Sequence, residues 1–166
     1  MTTYFGKYRG TVVSNIDPML MGRLLVGVPD LGLAGAWAMP CFPVAGDQAG
    51  AWMIPEPSTG VWVEFEQGDV DRPIWSGCWY GSAVEVPPLA REASPTAPPI
   101  VLAAPGQTTF MLSDAPGPAG GILLQTAMGA RISITDDGIT LSNGKGATIT
   151  LVGPTVTVNQ GALVVT

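Results

Sequence analysis

The feature that most constrains this chain is a repeat of apolar pairs near its C-terminus. In residues 122–166, five pairs of Ile, Leu or Val recur, and successive pairs begin 10, 7, 10 and 7 residues apart. Within a pair the two residues are spaced by two, the period of a β-strand, and polar residues stand beside them. We therefore predict very short strands with one apolar and one polar face. The pairs are Ile122 and Leu124, Ile132 and Ile134, Ile139 and Leu141, Ile149 and Leu151, and Val156 and Val158.

The apolar face of these strands needs a cover that the segment itself does not contain. Burying such a side chain is worth about 1.5–3 kcal/mol, so leaving all ten in water would forfeit about 15 kcal/mol or more, comparable with the net stability of a domain. Three chains wound around a common axis would bury every one of them and pair the exposed strand edges. We predict that the ten residues form the core of a homotrimer. A disordered or amyloid-like tail is less favoured, because Gly residues and the Asp136-Asp137-Gly138 turn are regularly placed.

Composition also favours a chain that partners cover. Of the 166 residues 46% are apolar and only 12% are charged, about half the usual charged share. The chain has no histidine, which removes the usual base for a Ser or Cys nucleophile and the commonest transition-metal ligand. Ser-His-Asp and Cys-His catalysis are therefore excluded, and we predict no enzyme activity, no cofactor and no metal site.

The charge balance and the cysteines limit the partners further. A net charge of −6 opposes binding to nucleic acid or to an anionic membrane. The chain has no apolar run of membrane-spanning length and no signal-peptide region at its N-terminus, so we expect it to be made and folded in the cytoplasm. Cys41 and Cys78 show no metal-type spacing, and we predict buried free thiols, with a disulfide as the weaker alternative.

Three zones divide the chain. Residues 1–86 alternate short apolar runs with Gly, Pro or Asp breaks, which predicts five or six strands in a small barrel. Residues 87–121 are rich in proline and are predicted to form an extended connector, in which a short strand within 100–104 or 108–114 is left open. Residues 122–166 carry the repeat. The predicted fold class is therefore all-β, with a barrel followed by a trimeric β-helical needle.

An acidic stretch within the barrel raises the question of catalysis. The sequence VWVEFEQGDVDRPIWSGCW, residues 61–79, places Glu64, Glu66, Asp69 and Asp71 between two Trp-bearing runs. Strand alternation puts one carboxylate pair on the face of Trp62, opposite the apolar side chains. Paired carboxylates in glycoside hydrolysis need a cleft and an apolar pocket for one of them, whereas a short polar loop should be wet. We predict a structural turn with no catalytic role, and we expect Val61, Val63 and Phe65 to share the inner face.

Three segments of the barrel resemble the N-terminal OB-fold domain of the phage baseplate assembly protein V and central spike family. The segments are GKYRGTVVSNIDPMLMGRLLVGVPD (6–30), AWAMPCFPVAG (36–46) and VWVEFEQGDVDRPIWSGCWYGSA (61–83). The tail matches the family's trimeric β-helical needle in pattern. The same OB domain occurs in spikes of type VI secretion and of extracellular contractile injection systems. The strongest match is the family's hairpin motif, at Phe65, Glu66, Gln67, Gly68, Asp69, Asp71, Pro73, Ile74, Trp75 and Gly77.

The resemblance implies a mechanical function. It implies a homotrimeric central spike of a contractile phage tail, located at the centre of the virion's baseplate and assembled in the host cytoplasm, which punctures the target cell envelope. It also implies a hub protein with a tube-like fold around the barrels. A conical tip protein is implied at the C-terminus, where Leu163, Val164 and Val165 are the candidate contacts. Some relatives hold an iron ion near the tip through histidines, and this sequence departs from that pattern.

Three alternatives remain open. One is a spike of a type VI or extracellular injection system; such spikes are commonly fused to the hub, whereas this chain begins directly at the barrel, which favours a phage tail. Another is a peptidoglycan hydrolase, for which the connector is too short to hold an inserted lysozyme domain. The last is an oligonucleotide-binding OB protein, which is opposed by nine acidic and four basic residues, a net of −5, in residues 1–86. We expect the five tryptophans, Trp37, Trp52, Trp62, Trp75 and Trp79, to be core or interface anchors.

Overall fold

The computed structural model describes residues 2–165, and the side chain of Val164 lies outside that description. The chain divides into two compact units, Met1–Ser82 and Ala83–Thr166. Both units are built from strands, which confirms the all-β prediction; among the described residues, the α-helical part is a single short helix, α1 (Pro88–Arg91). No helix in the described part of the chain is long and apolar enough to cross a membrane.

The first unit is a closed five-strand barrel. Its strands are β1 (Tyr8–Ser14), β2 (Leu24–Val28), β3 (Leu33–Pro40), β6 (Gly60–Phe65) and β7 (Pro73–Trp79). They pair in the order β1-β2-β3-β7-β6, and neighbours are antiparallel except β3 and β7, which are parallel. Between β3 and β6 the chain forms a small two-stranded hairpin, β4 (Ala45–Gly46) and β5 (Ala49–Gly50).

The barrel has a dry core because side chains alternate between the two faces of each strand, and closure of the sheet turns one face inwards. Along β6, Val61, Val63 and Phe65 are buried while Trp62 and Glu64 are only half-buried, which confirms the predicted alternation. Partly buried aromatic and aliphatic side chains pack around this core. The buried apolar side chains are Val12, Leu24, Val26, Val28, Ala38, Val61, Val63, Phe65 and Trp75.

The two cysteines are free, as predicted, but the prediction that they are buried is wrong. Both Cys41 and Cys78 are exposed. Cys41 follows the last residue of β3, and Cys78 comes after Gly77, where the pairing of β7 with β6 shifts by one residue. Cys78 is the second-last residue of β7, so both cysteines stand at strand ends that the barrel core does not cover.

The second unit contains one antiparallel sheet in which each strand pairs with the next along the chain. Two of its strands, within residues 100–103 and 109–113, come from the Pro-rich zone, so both segments that the sequence left open form strands. Backbone N–H groups of Ala104, Thr126 and Asn143 donate to the carbonyls four residues further on, which closes three five-residue turns in the same way. The strands are β8 (Ile100–Ala103), β9 (Thr109–Ser113), β10 (Gly121–Gln125), β11 (Arg131–Thr135), β12 (Gly138–Ser142), β13 (Thr148–Val152), β14 (Thr155–Val158) and β15 (Leu163–Val165).

The turn lengths explain the 10-and-7 repeat of the sequence. Five-residue turns, 126–130 and 143–147, alternate with two-residue turns, 136–137 and 153–154, between strands of nearly constant length. The Asp136-Asp137 turn confirms the turn predicted there, and the Asn143 turn is a further one. In the second of them the Asn143 Oδ1 accepts hydrogen bonds from the N–H groups of Lys145 and Ala147, at 2.8 and 3.0 Å.

Candidate functional site

The register of the sheet aligns its apolar residues into two unbroken rows. Directly opposed residues of antiparallel strands have side chains on the same face. The first ladder crosses all eight strands through Ile100, Leu112, Ile122, Ile134, Ile139, Leu151, Val156 and Val165. The second ladder runs beside it on the same face through Leu102, Phe110, Leu124, Ile132, Leu141, Ile149, Val158 and Leu163.

The chain itself leaves this face uncovered. Every ladder residue is half-buried or exposed, and among the described residues of the second unit only Gly120 is buried. Ile122, Leu124, Ile132 and Ile134 have 38–46% of their surface exposed although they lie in the middle of the sheet. A groove of about 670 Å³ lies over the second ladder. On the opposite face the central positions of four successive strands are Ser133, Thr140, Thr150 and Thr157.

All ten residues that the sequence nominated as a trimer core lie in these two ladders. Sequence reasoning missed four others, Ile100, Leu102, Phe110 and Leu112, which extend both rows into the Pro-rich zone. Their spacing of two was visible, but the density of prolines around them favoured a connector. Two of the nominated tip contacts, Leu163 and Val165, are exposed and occupy the last ladder positions. The side chain of Val164, the third, lies outside the described part of the structure.

The hairpin motif of the first unit forms a tight turn between β6 and β7. Gln67 and Gly68 have φ of 55° and 80°, in the left-handed region where glycine carries no steric penalty. Gly68 is buried, its carbonyl accepts from the N–H of Tyr4 at 2.9 Å, and a Cβ there would lie 3.1 Å from side-chain atoms of Thr3 and Phe5. The N–H of Glu66 donates to the carbonyl of Arg72 at 3.0 Å. The motif therefore joins two strands and fastens the N-terminal segment to the barrel.

The rest of the motif is arranged for folding as well. Pro73 begins β7 opposite Phe65, half-buried Ile74 pairs with Glu64, and Gly77 has φ of 118° at the bulge. Trp75 is in the core, and its indole N–H donates to the Gly22 carbonyl at 3.1 Å. Each residue is placed by backbone pairing or by the core.

The carboxylates of this stretch do not form an acid–base pair. Asp69 and Asp71 are exposed, and the Asp69 Oδ1 accepts from the N–H of Asp71 at 3.1 Å, a contact typical of a turn. Glu64 lies outside the barrel, where it makes an ion pair with Lys7 and accepts from the Ser76 hydroxyl. The Lys7 contact, followed by the Ser76 hydrogen bond, lowers the pKa of Glu64. No described carboxylate here sits in the apolar pocket that a general acid requires.

The main charged site of the barrel is one that sequence reasoning missed. Asp17 is buried, and its carboxylate accepts from the N–H groups of Met19, Met21 and Arg23 and from the guanidinium of Arg23, at 2.8–3.1 Å. The Arg23 guanidinium also lies 5.1 Å from the ring centre of Trp37. The guanidinium first, and then the backbone N–H groups, hold the pKa of Asp17 well below its ordinary value. The Asp-Pro pair followed by Gly-Arg six residues later was the available signal.

The barrel also exposes apolar side chains on one loop and the segment around the small hairpin. Leu20 and Met19 are 85% and 59% exposed, and Trp52 is 63% exposed. A cavity of about 710 Å³ is lined by residues between Met21 and Trp52, including Phe42, whose ring centre is 5.5 Å from that of Trp52. Isolated exposed apolar residues are ordinary, but a contiguous group of them marks a surface that a partner covers.

The remaining tryptophans divide between the core and the outside of the barrel. Trp75 is the core anchor, as described above. Trp62 and Trp79 lie side by side on the outside, with ring centres 6.4 Å apart, and the Arg9 guanidinium lies over both rings at 5.8 and 5.0 Å. Trp75 therefore has the core role that the sequence predicted. The other four tryptophans are half-buried or exposed and remain accessible to a partner.

A closed barrel followed by a one-layer sheet that has no core of its own defines a β-structured assembly protein, which completes its fold with other chains. Two family profiles match the chain. Residues 8–80 match the type VI secretion system/phage-baseplate injector OB domain, and residues 99–164 match the phage baseplate V C-terminal trimerisation domain. No curated protein matches the chain. The chain therefore belongs to the phage baseplate V family and is a trimerising, spike-type baseplate protein.

Proposed function

We propose that this chain is the central spike of a contractile phage tail, a homotrimer whose C-terminal sheets form a needle below the hub and tube. One observation carries the proposal: two ladders of eight apolar residues each run the length of a sheet that leaves them uncovered. In a single-layer sheet, such a face becomes an interior only when another surface packs on it. The second surface, in this proposal, is supplied by two further copies of the same chain.

The needle is a three-sided prism in which each copy contributes one sheet. The ladder faces meet on the threefold axis, and the Ser and Thr face turns to water. The ten residues from Ile122 to Val158 that the sequence nominated form most of this axis, and Phe110 and Leu112 extend it by one strand. Stiffness follows from a packed interior and from short turns, since a close-packed core resists compression.

The mechanical role follows from this rigidity. Contraction of a sheath elsewhere in the tail drives the tube forward, and a narrow stiff needle concentrates that force on a small area of the target envelope. The chain breaks no bond in this role and needs no cofactor or metal. Its location is the centre of the tail baseplate of the virion, after assembly in the host cytoplasm.

Two partners complete the proposal. A hub protein with a tube-like fold surrounds the barrels, and the exposed apolar group around Leu20 and Trp52 supports a barrel surface that is covered in the assembled particle. A conical tip protein docks on the last strand, β15. Exposed Leu163 and Val165 at the end of both ladders support this second contact. Nucleic acid is not among the partners.

The decisive experiment is the mass of the purified full chain in solution, measured by native mass spectrometry and by sedimentation. We expect a trimer that persists in moderate denaturant, because dissociation exposes both ladders of three chains at once. A folded monomer at micromolar concentration would contradict the proposal, since its ladders would then be stable in water.

One alternative within the family is a spike of a type VI or extracellular injection system, which the shared OB domain also supports. The presence of tail-sheath genes beside structural phage genes at the same locus would favour the phage spike, and secretion genes there would favour the alternative. Binding of oligonucleotides by the barrel is tested by a mobility-shift titration, and tight salt-sensitive binding would support it against the spike.

A further inference from the structure

The sheet of the second unit sorts its charged residues by sign. Successive turns of a meander lie on alternate sides of the sheet, which gives the sheet two margins. The turns 104–108, 126–130, 143–147 and 159–162 lie on one side, which we name the basic margin. The turns 114–120, 136–137 and 153–154 lie on the other side, the acidic margin.

Residues 100–165 contain five charged side chains, and their positions follow the two margins. Arg131, which directly follows turn 126–130, and Lys145 belong to the basic margin. Asp114, Asp136 and Asp137 belong to the acidic margin. All five are exposed, and none of them makes an ion pair with another described residue. A single chain therefore carries two separated stripes of opposite charge on either side of its apolar face.

We propose that the basic margin of each copy lies against the acidic margin of the next copy, so that Arg131 and Lys145 of one chain pair with Asp136 and Asp137 of its neighbour. This inference rests on the trimeric needle proposed above. Three sheets that turn the same face to a common axis meet at three corners. Rotational symmetry makes each corner heterologous, one margin of one copy against the opposite margin of the next.

The heights of these residues along the sheet agree with such a corner. Closed rotational symmetry involves no translation along the axis, so residues that meet have the same height. The Asp136-Asp137 turn joins β11 to β12, whereas Arg131 begins β11 and Lys145 lies in the turn from β12 to β13. Neighbouring strands are about 4.8 Å apart, so the two cations lie on either side of the acidic turn, each within about one strand spacing.

These charge contacts would specify how the copies are arranged, which the apolar ladders do not. Apolar rows of similar Ile, Leu and Val residues would accept an inverted neighbour at little cost. Opposite charges at the corners disfavour that arrangement, because an inverted neighbour brings like charges together. The chain's few charges in this unit therefore act in specificity more than in net stability.

The test is a charge swap between the margins of the full-length chain, with four variants compared at low ionic strength. One double variant reverses the acidic margin, Asp136→Lys with Asp137→Lys, and another reverses the basic margin, Arg131→Asp with Lys145→Asp. The quadruple variant combines all four changes. Asp47→Lys, an exposed charge reversal in the barrel unit, is the matched control.

We expect each double variant to place like charges at all three corners and to raise the concentration needed for trimer assembly in urea by about tenfold or more. The quadruple variant restores opposite charges at every corner, so its trimer should recover most of that loss. The control should behave as the parent chain. Raising the salt concentration should reduce the difference between the doubles and the parent, because exposed charges are screened.

A mixture of the two double variants gives a further test, because three copies of two types cannot alternate around a closed ring. A ring of three copies drawn from two types always keeps one corner between like types, so mixed trimers should assemble better than either double variant and less well than the quadruple. Double variants that assemble as well as a trimeric parent would overturn the corner contact and leave the proposed spike intact. A quadruple variant no better than the doubles would overturn it too, whereas a parent that is not a trimer would remove the proposed function itself.

A cross-link gives the geometry independently of stability. In a background with Cys41→Ser and Cys78→Ser, the pair Asp136→Cys and Lys145→Cys should be joined by a short bismaleimide into a covalent trimer on a denaturing gel. Each single cysteine alone should give only monomer, because heterologous corners keep identical positions apart. Covalent dimers from a single-cysteine variant would show that like margins meet and would overturn the inference.

Discussion

The two units of this chain use the same strand alternation with opposite results. In the barrel, Leu24, Val26, Val61 and Val63 have no exposed surface, because five strands close on themselves and face one another across the interior. In the C-terminal sheet, Ile132 and Ile149 sit at equivalent inward positions and remain about 40% exposed. Alternation creates an apolar face, but only a second layer turns that face into a core.

The barrel core is complete within one chain, whereas the sheet gains a core only by assembly with other copies. The barrel buries its nine core side chains within one chain, so we expect it to fold without partners. The sheet pairs each strand with its neighbours within the chain but leaves its side-chain packing to other copies. The five tryptophans all lie in the barrel unit, so tryptophan fluorescence reports on that unit alone, and mass measurements report on the other.

The largest expected effect is a substitution that prevents assembly of the sheets and leaves the barrel folded. Ile149→Asp would place three like charges on the apolar axis of the proposed trimer, and we expect it to abolish assembly. Thr150→Asp, the next residue on the opposite face, is the matched control and should remain trimeric. Sedimentation measures the mass, and fluorescence should show a folded barrel in both variants. A trimeric Ile149→Asp variant would contradict the assignment of the ladders to the axis.

A core truncation should give the opposite result. Leu24→Ala removes a fully buried side chain, and we expect it to lower the free energy of unfolding of the barrel by about 3 kcal/mol. Urea titration followed by fluorescence measures this loss, while the trimer should persist at low denaturant. Leu20→Ala, at an exposed position, should change the stability by less than about 0.5 kcal/mol. Dissociation of the Leu24→Ala trimer before barrel unfolding would show that the two units are not independent.

Much of this division could be predicted from the sequence because it depends on local periodicity. The spacing of two identified the inner face of β6 and all ten nominated ladder residues, and no distant contact was needed for either. The inclusion of Phe110 and Leu112 was missed because proline density outweighed a two-residue signal, and only pairing with β10 settles their place. The exposure of Cys41 and Cys78 depends on where β3 and β7 end, which the residue types alone do not reveal.

Long-range polar contacts were the least predictable part. The pairing of Asp17 with Arg23 follows from a loop that folds back over its own carboxylate, and positions six apart do not touch within a regular helix or strand. The ladders likewise require a register between strands, which turn lengths determine and a sequence shows only indirectly. The alternation of five-residue and two-residue turns was visible as the 10-and-7 repeat, but its meaning as two margins needed the strand order.

A smaller expected effect is the loss of barrel stability at low pH, which involves the barrel unit and not the sheet. Because the pKa of Asp17 is lowered in the folded barrel, the stability that it contributes is fully present above the unfolded-state pKa of about 3.9 and is lost as the pH falls below it. Asp17→Asn should therefore destabilise the barrel at pH 7, and the gap between variant and parent should narrow below about pH 4. The gap is measured as the difference in urea midpoint between variant and parent, followed by fluorescence at pH 7 and below about pH 4. Asp30→Asn is the control at an exposed position. A gap that stays constant with pH would contradict the role of the carboxylate.

The smallest expected effect on stability comes from a substitution in the acidic stretch between β6 and β7, the segment whose carboxylates were weighed as a catalytic pair. Asp69→Asn keeps the oxygen that accepts from the N–H of Asp71, so it should change the barrel stability by less than about 0.5 kcal/mol. Gly68→Ala is the contrasting variant, because a Cβ at φ of 80° is strained and would press on Thr3 and Phe5, so it should destabilise the barrel measurably. Urea midpoints distinguish the two, and a zymogram on peptidoglycan distinguishes a turn from an active site. Clearing by the parent that Asp69→Asn removes would contradict a purely structural turn, because a carboxylate that only shapes a loop leaves no chemistry to lose.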